Sequence, residues 1–389
     1  MALNLKSRKA RDVAVQVVFL GTVVGALVAA VLVGKRNLDA QGITSGFGFL
    51  NRATGFDVGF SLIEFTPYDT FGRLLLVGVL NTIFLGLVGL VLANLMGLAI
   101  ALFRTSKIPV LSAIGTLYIE TFRNIPIILQ AFFWYALLTH LPAPKQAFNL
   151  LDIAFASTRG VFVPGLNVTA GAAALFFAAL FVGLGAALWI SLAKRFKRWP
   201  APRRRLWRWL VFGAGLALGI GFLWAGRLAD TPLVSLPELR GLNFRGGIRI
   251  SPELSAMVIA IATYGGAYLA EIIRAGFLAV PKGQIEAAQS LGLAPYHVFS
   301  RVRLPLAVRA VFPTLINQNV WLFKATTLGI AVGFTDFFFV ISVSINQVGQ
   351  TIELIAILMV GFLIMNNAIS ILLNRVNAAI ALKGTQLRV

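Results

Sequence analysis

Eight stretches of this 389-residue chain are apolar over lengths that cross, or nearly cross, a lipid bilayer as helices: about 13–33, 76–103, 124–139, 170–193, 209–226, 254–270, 309–323 and 352–374. Inside hydrocarbon a backbone must satisfy its own N–H and C=O groups, which leaves helices and closed barrels. The runs lack the period-two alternation of a barrel strand. They predict an all-α polytopic membrane protein with about eight transmembrane helices. Composition agrees, because 58% of residues are apolar, 12% are charged and the mean hydropathy is +0.85. A net charge of +20 would suit a nucleic-acid binder if the basic residues shared one solvated face, but here they punctuate apolar segments, so no nucleic-acid partner is expected.

The first run, Val13 to Val33, follows Lys6, Arg8, Lys9 and Arg11. It is longer than a signal-peptide core and reads as an uncleaved anchor. In the second run, Gly78, Gly86, Gly89 and Gly97 form a small-residue stripe suited to close helix approach. The distribution of Lys and Arg sets orientation. With the amino terminus cytoplasmic, 22 of the 34 basic residues fall in inside segments and 10 in outside ones, with Arg123 and Lys324 at membrane depth. Both termini are thus expected in the cytoplasm, under a multi-pass arrangement. The largest inside cluster is Lys194-Arg195-Phe196-Lys197-Arg198 with Arg203-Arg204-Arg205, read first as a topology determinant and second as a lipid or partner site. Thr326 to Gln350 mixes Gly329, Gly333, Asp336 and Asn346 with Phe337-Phe338-Phe339, and predicts a broken or re-entrant helix.

Two chemistries are excluded early. Without cysteine, and with only His140 and His297, the chain has neither a disulfide framework nor a histidine or thiolate metal cluster. It also lacks the Gly-x-x-x-x-Gly-Lys-Ser/Thr phosphate loop, so it is not its own P-loop ATPase, and no cofactor is expected in it. Redox compartment is left open by the missing thiols.

Between the sixth and seventh runs lies Pro281-Lys282-Gly283-Gln284-Ile285-Glu286-Ala287-Ala288-Gln289-Ser290-Leu291-Gly292. Its centre favours helix, Gly292 suits a left-handed terminating position, and Pro295 suits the first turn of a second helix through Arg301 and Arg303 to Leu304-Pro305. The expected product is an angled helix pair on the cytoplasmic side. In it Ala287 and Ala288 admit a partner's backbone, Ile285 and Leu291 offer apolar contact, and Glu286 offers a charge.

Glu286-Ala287-Ala288, then Gly292, then Val302-Arg303-Leu304-Pro305, resembles the signature loop of type I ABC importer permeases. The resemblance implies that this loop is a coupling helix seated in a cleft of a cytoplasmic ATPase dimer, which binds the ATP and Mg. Tyr118-Ile119-Glu120-Thr121-Phe122-Arg123-Asn124-Ile125-Pro126 leading to Gln130, and Tyr264 through Gly276, resemble the polar amino-acid permeases, over roughly 76–380. The elongated form is similar to the larger permease subunit of general L-amino-acid importers that handle glutamate, glutamine, aspartate and asparagine. That likeness implies a five-helix core plus one leading and two inserted helices. It implies residues 1–75 as a leading helix and periplasmic loop, 76–380 as the permease domain with an insert at about 145–250 and a coupling loop at 271–309, and 381–389 as a cytoplasmic tail. It implies a second homologous permease, a periplasmic amino-acid-binding protein and a bacterial inner-membrane location. One departure is plain: many relatives place an acidic or amide residue after the lysine of the seventh run, whereas here Lys324 is followed by Ala325.

Charged groups at membrane depth are costly and mark function by default. Glu120 with Arg123, and Glu271 with Arg274, are three apart and can pair on one helical face. An amino-acid zwitterion needs donors for its carboxylate, for which Arg123 and Lys324 are candidates, and acceptors for its ammonium, for which Glu271 is one. Asn124, Gln130, Asn319, Thr326 and Thr327 are neutral pathway candidates. The rival classes are a secondary amino-acid transporter, which predicts inverted repeats not seen here, and a membrane enzyme, for which no convergent nucleophile, base or metal set exists.

Overall fold

The computed structural model describes residues 8–40, 46–193, 195–196, 199–228 and 231–380. The predicted tail 381–389, and Lys6, Lys194, Lys197 and Arg198 of the basic segments, lie outside the described residues.

Twelve α-helices are described: α1 (Arg8–Ala40), α2 (Phe71–Arg104), α3 (Pro109–Asn124), α4 (Ile127–Thr139), α5 (Ala170–Leu192), α6 (Ala201–Ala225), α7 (Pro252–Leu278), α8 (Lys282–Ser290), α9 (Pro295–Val298), α10 (Leu304–Lys324), α11 (Phe337–Val348) and α12 (Thr351–Ile380). Six of the described helices are long and apolar enough to cross a membrane, at Arg11–Gly34, Phe71–Arg104, Gly171–Ser191, Ala201–Ala225, Pro252–Leu278 and Thr351–Ala378. A seventh follows if the unit Pro295–Val332 and α11, bent by 47° at their junction, count as one span. The expected run 124–139 behaves differently. Pro126 breaks it, and the 13-residue α4 that remains rises only about 20 Å, short of the roughly 30 Å hydrocarbon core.

The centre of the bundle is α2 packed lengthwise on α7, with α4, α10 and α3 on the flanks of α7 and α11 against α2. The glycine stripe of α2 makes this approach possible. A Cβ on Gly97 would lie 2.7 Å from Leu269 Cβ of α7, one on Gly89 2.8 Å from Ile261, and one on Gly86 would overlap the Phe323 ring of α10. Gly78 meets the Phe337 backbone of α11 in the same way. Dispersion at backbone contact replaces the hydrophobic drive that lipid cannot supply.

The stretch 325–350 is broken, as its composition predicts. Ala325–Val332 tightens to a 3₁₀ helix, Gly333 takes φ +77°, and the buried Asp336 caps α11 by accepting from the Phe339 N–H at 2.6 Å. Buried amides and hydroxyls hold the freed backbone. Asn81 Nδ2 donates to the Thr335 carbonyl at 2.7 Å, and the Phe337 N–H donates to Thr82 Oγ1 at 2.8 Å.

Between α4 and α7 lie eight short strands as well as α5 and α6: β1 (Phe148–Leu150), β2 (Ala154–Ser157), β3 (Gly160–Val163), β4 (Gly165–Leu166), β5 (Val234–Ser235), β6 (Glu238–Arg240), β7 (Asn243–Arg245) and β8 (Ile248–Ile250). β1–β2–β3–β8 form an antiparallel sheet, with Val161 opposite Ile250 and Val163 opposite Ile248. β4 pairs with β5. Leaving and returning strands are therefore stitched together at the foot of the α5–α6 hairpin. Those two helices pack on one another, and a Cβ on Gly215 would lie 2.8 Å from Gly183 Cα.

Candidate functional site

The loop after α7 is built around a helix stop. The Gly292 N–H donates to the Gln289 carbonyl at 2.9 Å and the Leu293 N–H to the Ala288 carbonyl at 3.3 Å, the paired reversal of a Schellman motif. Gly292 takes φ +73°, the left-handed conformation that the motif requires and that costs other L-residues. The chain then turns into α9, with Pro295 in its first turn. The second arm is continuous with the span that follows: α9 passes through a π-helical turn, Phe299–Arg303, into α10. The widened turn carries the Leu304 N–H to the Phe299 carbonyl. It lies directly before Pro305, whose ring would otherwise crowd the carbonyl four residues back.

The faces of α8 divide cleanly. Ala288 is buried, and Ile285 is half-buried against the cluster containing Ile273, Phe277 and Val280. These two residues, three apart, face inward, so the apolar contact expected of Ile285 and the room for a partner's backbone expected of Ala288 are turned toward this chain instead. Glu286, Ala287 and Leu291 are the exposed set, with Leu291 81% accessible. Beneath them the Phe277 ring sits between Phe299, at 5.9 Å between centroids, and the Arg303 guanidinium, 5.4 Å above it. Gly276 brings α7 against α10 just behind, since a Cβ there would lie 2.7 Å from the Ala307 carbonyl oxygen. α8 itself packs on α9 and on the π-helical turn, so a push on it bears on the arm that runs on into α10.

The second site is a stripe on α7. Glu271 is held by both carboxylate oxygens to Arg274, and Arg104 at the end of α2 approaches to 4.0 Å. The Glu271–Arg274 pair forms as its spacing predicts, and it occupies the carboxylate proposed as an ammonium acceptor. Glu120 and Arg123 do not pair. Asn124 Nδ2 instead donates to the Glu120 carbonyl at 2.8 Å, and Arg123 lies 5.3 Å over the Tyr268 ring. Tyr268 stands 4.8 Å from Tyr264, whose ring is 5.6 Å from Trp321 of α10. Lys324 is exposed one turn beyond Trp321 on the same helix face. Arg123, Tyr268, Tyr264, Trp321 and Lys324 make a cationic and aromatic surface.

The neutral candidates divide between surface and interior. Asn124 is exposed and Thr327, half-buried, donates to the Lys324 carbonyl. Gln130 is buried and donates to the Phe122 and Ile125 carbonyls at 2.8 and 2.9 Å while accepting from Thr263, so it repairs the break at Pro126. Asn319 is buried too, accepting from Asn94 of α2 at 2.6 Å, and Thr326 turns back onto the Phe323 carbonyl. These three stabilise the bundle interior. Asn94 and Trp321 are not predicted as pathway residues, and Tyr264 and Tyr268 enter the sequence reading only within the Tyr264–Gly276 motif, although Asn94, like Asn81, is an amide within an apolar run and is itself a signal.

A bundle of apolar helices long enough to cross a bilayer, with a capped loop between two of them, is the architecture of a multi-pass membrane protein. Residues 89–381 match the family described as the inner membrane component of binding-protein-dependent transport systems, and the chain belongs to that family. It is 40% identical over 348 residues to the putative amino-acid ABC transporter permease protein YhdX of Escherichia coli, covering 89% of this chain and 88% of that protein. It is 35% identical over 350 residues to the general L-amino acid transport system permease protein AapQ of Rhizobium johnstonii, covering 89% and 86%. A third relative is the glutamate/glutamine/aspartate/asparagine transport system permease protein BztB of Rhodobacter capsulatus, 30% identical over 425 residues, with 98% and 96% covered. The chain is therefore a component of an ABC transporter that works with other subunits, and the secondary-transporter alternative is not favoured.

Proposed function

We propose that the chain carries L-amino acids, polar and acidic ones foremost, across the bacterial inner membrane as one of two homologous permeases around a shared pathway. A periplasmic binding protein delivers the substrate, and a cytoplasmic ATPase dimer, which binds ATP and Mg, drives alternating access. The observation that carries this reading is the α8 loop: an exposed Glu286-Ala287 face and Leu291, held in shape by Gly292, with Ile285 against the bundle cluster and the helix packed on α9 and the π-helical turn that leads into α10. That is the construction needed to turn a partner's rigid-body motion into helix motion. The distribution of basic residues supports placing this loop and both termini in the cytoplasm.

The stripe on α7 supports the substrate class. Arg123 and Lys324 form no ion pair among the described residues, whereas Glu271 is already paired with Arg274 and approached by Arg104. Such a surface favours a carboxylate-bearing solute, whose ammonium finds the π faces of Tyr264 and Trp321. The names of the relatives point the same way. The test is purification from detergent with the ATPase chain, followed by substrate-stimulated ATP hydrolysis in proteoliposomes. Glu286→Lys is expected to keep the permease inserted and abolish stimulation. Normal stimulation and uptake in that variant, or absence of an ATPase chain from the purified complex, would overturn the reading.

A further inference from the structure

The α5–α6 hairpin is chemically unlike the rest of the chain. From Ile153 to Ala229 the sequence contains no Asp or Glu, yet residues 194–208 alone include eight Lys and Arg. Among the described residues of this segment, Arg195, Arg203 and Arg205 are exposed, Arg204 and Arg208 are half-buried, and none forms an ion pair. Among the described residues this charge is therefore not answered by a carboxylate.

Geometry says at what level it lies. The hairpin is tied at its foot, where β4 pairs with β5 and Val168 bridges Arg227, so its tip, the end of α5 and the start of α6 with Phe196 and Trp199 between them, sits at the opposite membrane face. Four of the seven tryptophans, Trp189, Trp199, Trp207 and Trp209, gather within a turn or two of that tip. Trp199 contacts Phe196 at 5.0 Å and Trp207 at 6.3 Å, and the Arg203 guanidinium lies 4.8 Å over the Trp199 ring. Tryptophan settles at the headgroup boundary. Arginines interleaved with such a collar lie at phosphate depth rather than projecting into water toward a soluble partner. The first turn of α6 also carries Arg203 and Arg204 with no acidic residue, at the end of the helix where the backbone already presents positive charge. That arrangement repels itself unless an anion joins it.

We propose that the tip of the α5–α6 hairpin is a binding site for anionic phospholipid headgroups, in which Arg203, Arg204, Arg205 and Arg208 take the phosphates and the tryptophan collar sets their depth. The site anchors a hairpin otherwise joined to the bundle mainly through the short strands at its foot. It holds for whichever leaflet the tip meets, and it stands apart from the transport reading.

The test uses the full chain with its co-purifying subunits, extracted in detergent and titrated with phosphatidylglycerol or phosphatidylcholine, with bound lipid counted by native mass spectrometry. Arg203→Gln/Arg204→Gln leaves the other basic residues of the segment to hold topology, which a single introduced cysteine in this cysteine-free chain reports. At about fivefold per arginine near an anionic surface, the double variant should bind phosphatidylglycerol about 25-fold more weakly. Arg240→Gln/Arg245→Gln, at the strand end, should bind as the unaltered chain does. Phosphatidylcholine should bind weakly throughout, and millimolar inorganic phosphate should not displace the lipid. Equal retention of phosphatidylglycerol by the double variant would overturn the proposal. So would equal retention of phosphatidylcholine, displacement by free phosphate, or loss of a soluble subunit instead of lipid.

Discussion

Gly292 offers the sharpest test of how the loop works, because its role can be separated from simple crowding. A Cβ placed there meets nothing within 4 Å, so a small side chain begins in open space within this chain. What changes is the backbone: at φ +73° an ordinary L-residue is strained by about 1–2 kcal/mol, while asparagine tolerates the conformation. A strain of that size lowers the population of the capped loop by about 5- to 30-fold relative to alternatives in which α8 frays or runs on. Gly292→Ala and Gly292→Val should therefore insert and assemble, yet show substrate-stimulated ATP hydrolysis reduced toward that range, the valine more severely because it is β-branched. Gly292→Asn should retain most of it. The assay is stimulated hydrolysis in proteoliposomes at saturating binding protein, with basal hydrolysis as the internal reference. Full stimulation in the valine variant would refute the argument that the left-handed turn shapes the docking surface. Equal damage from asparagine would refute it differently, by assigning the effect to bulk at the partner's cleft.

Other residues give independent checks. Gly276→Ala should destabilise by about 1–3 kcal/mol, since its methyl meets the Ala307 carbonyl at 2.7 Å, whereas Gly283→Ala in open space on α8 should be neutral or slightly stabilising; thermal unfolding in detergent compares the two. Gln130→Leu should lower the melting temperature by leaving the Phe122 and Ile125 carbonyls without their donor, at about 1–3 kcal/mol for each buried group left unsatisfied, and an unchanged melting temperature would contradict the role given to the break at Pro126. Arg123→Gln should raise the KM for glutamate and for glutamine alike, because both carry the α-carboxylate, and an unchanged KM for both would remove Arg123 from carboxylate recognition.

The parts of this fold that could be read in the sequence are those set by one segment at a time. An apolar run needs no partner to declare itself, and Gly292 and Pro295 mark a stop and a start wherever they occur between helical stretches. The strands between α4 and α7 are two to four residues long, and Val161 finds Ile250 only after the whole α5–α6 hairpin has intervened, so no local period announces that sheet. The same limit governs the site. Across α8 and its C-terminal cap, the sequence offers Ile285 and Leu291 equally as apolar contacts, and Ala287 and Ala288 equally as small ones. Which of each pair faces a partner is decided by where Phe277 and Val280 stand, at the end of a different helix. The helix phase that results leaves Glu286, Ala287 and Leu291 outward, while Ile285 and Ala288 become the hinge side. A motif read as one docking surface is thus two surfaces back to back. Substitutions on the inner one should disturb stability and coupling together, whereas those on the outer one should disturb coupling alone.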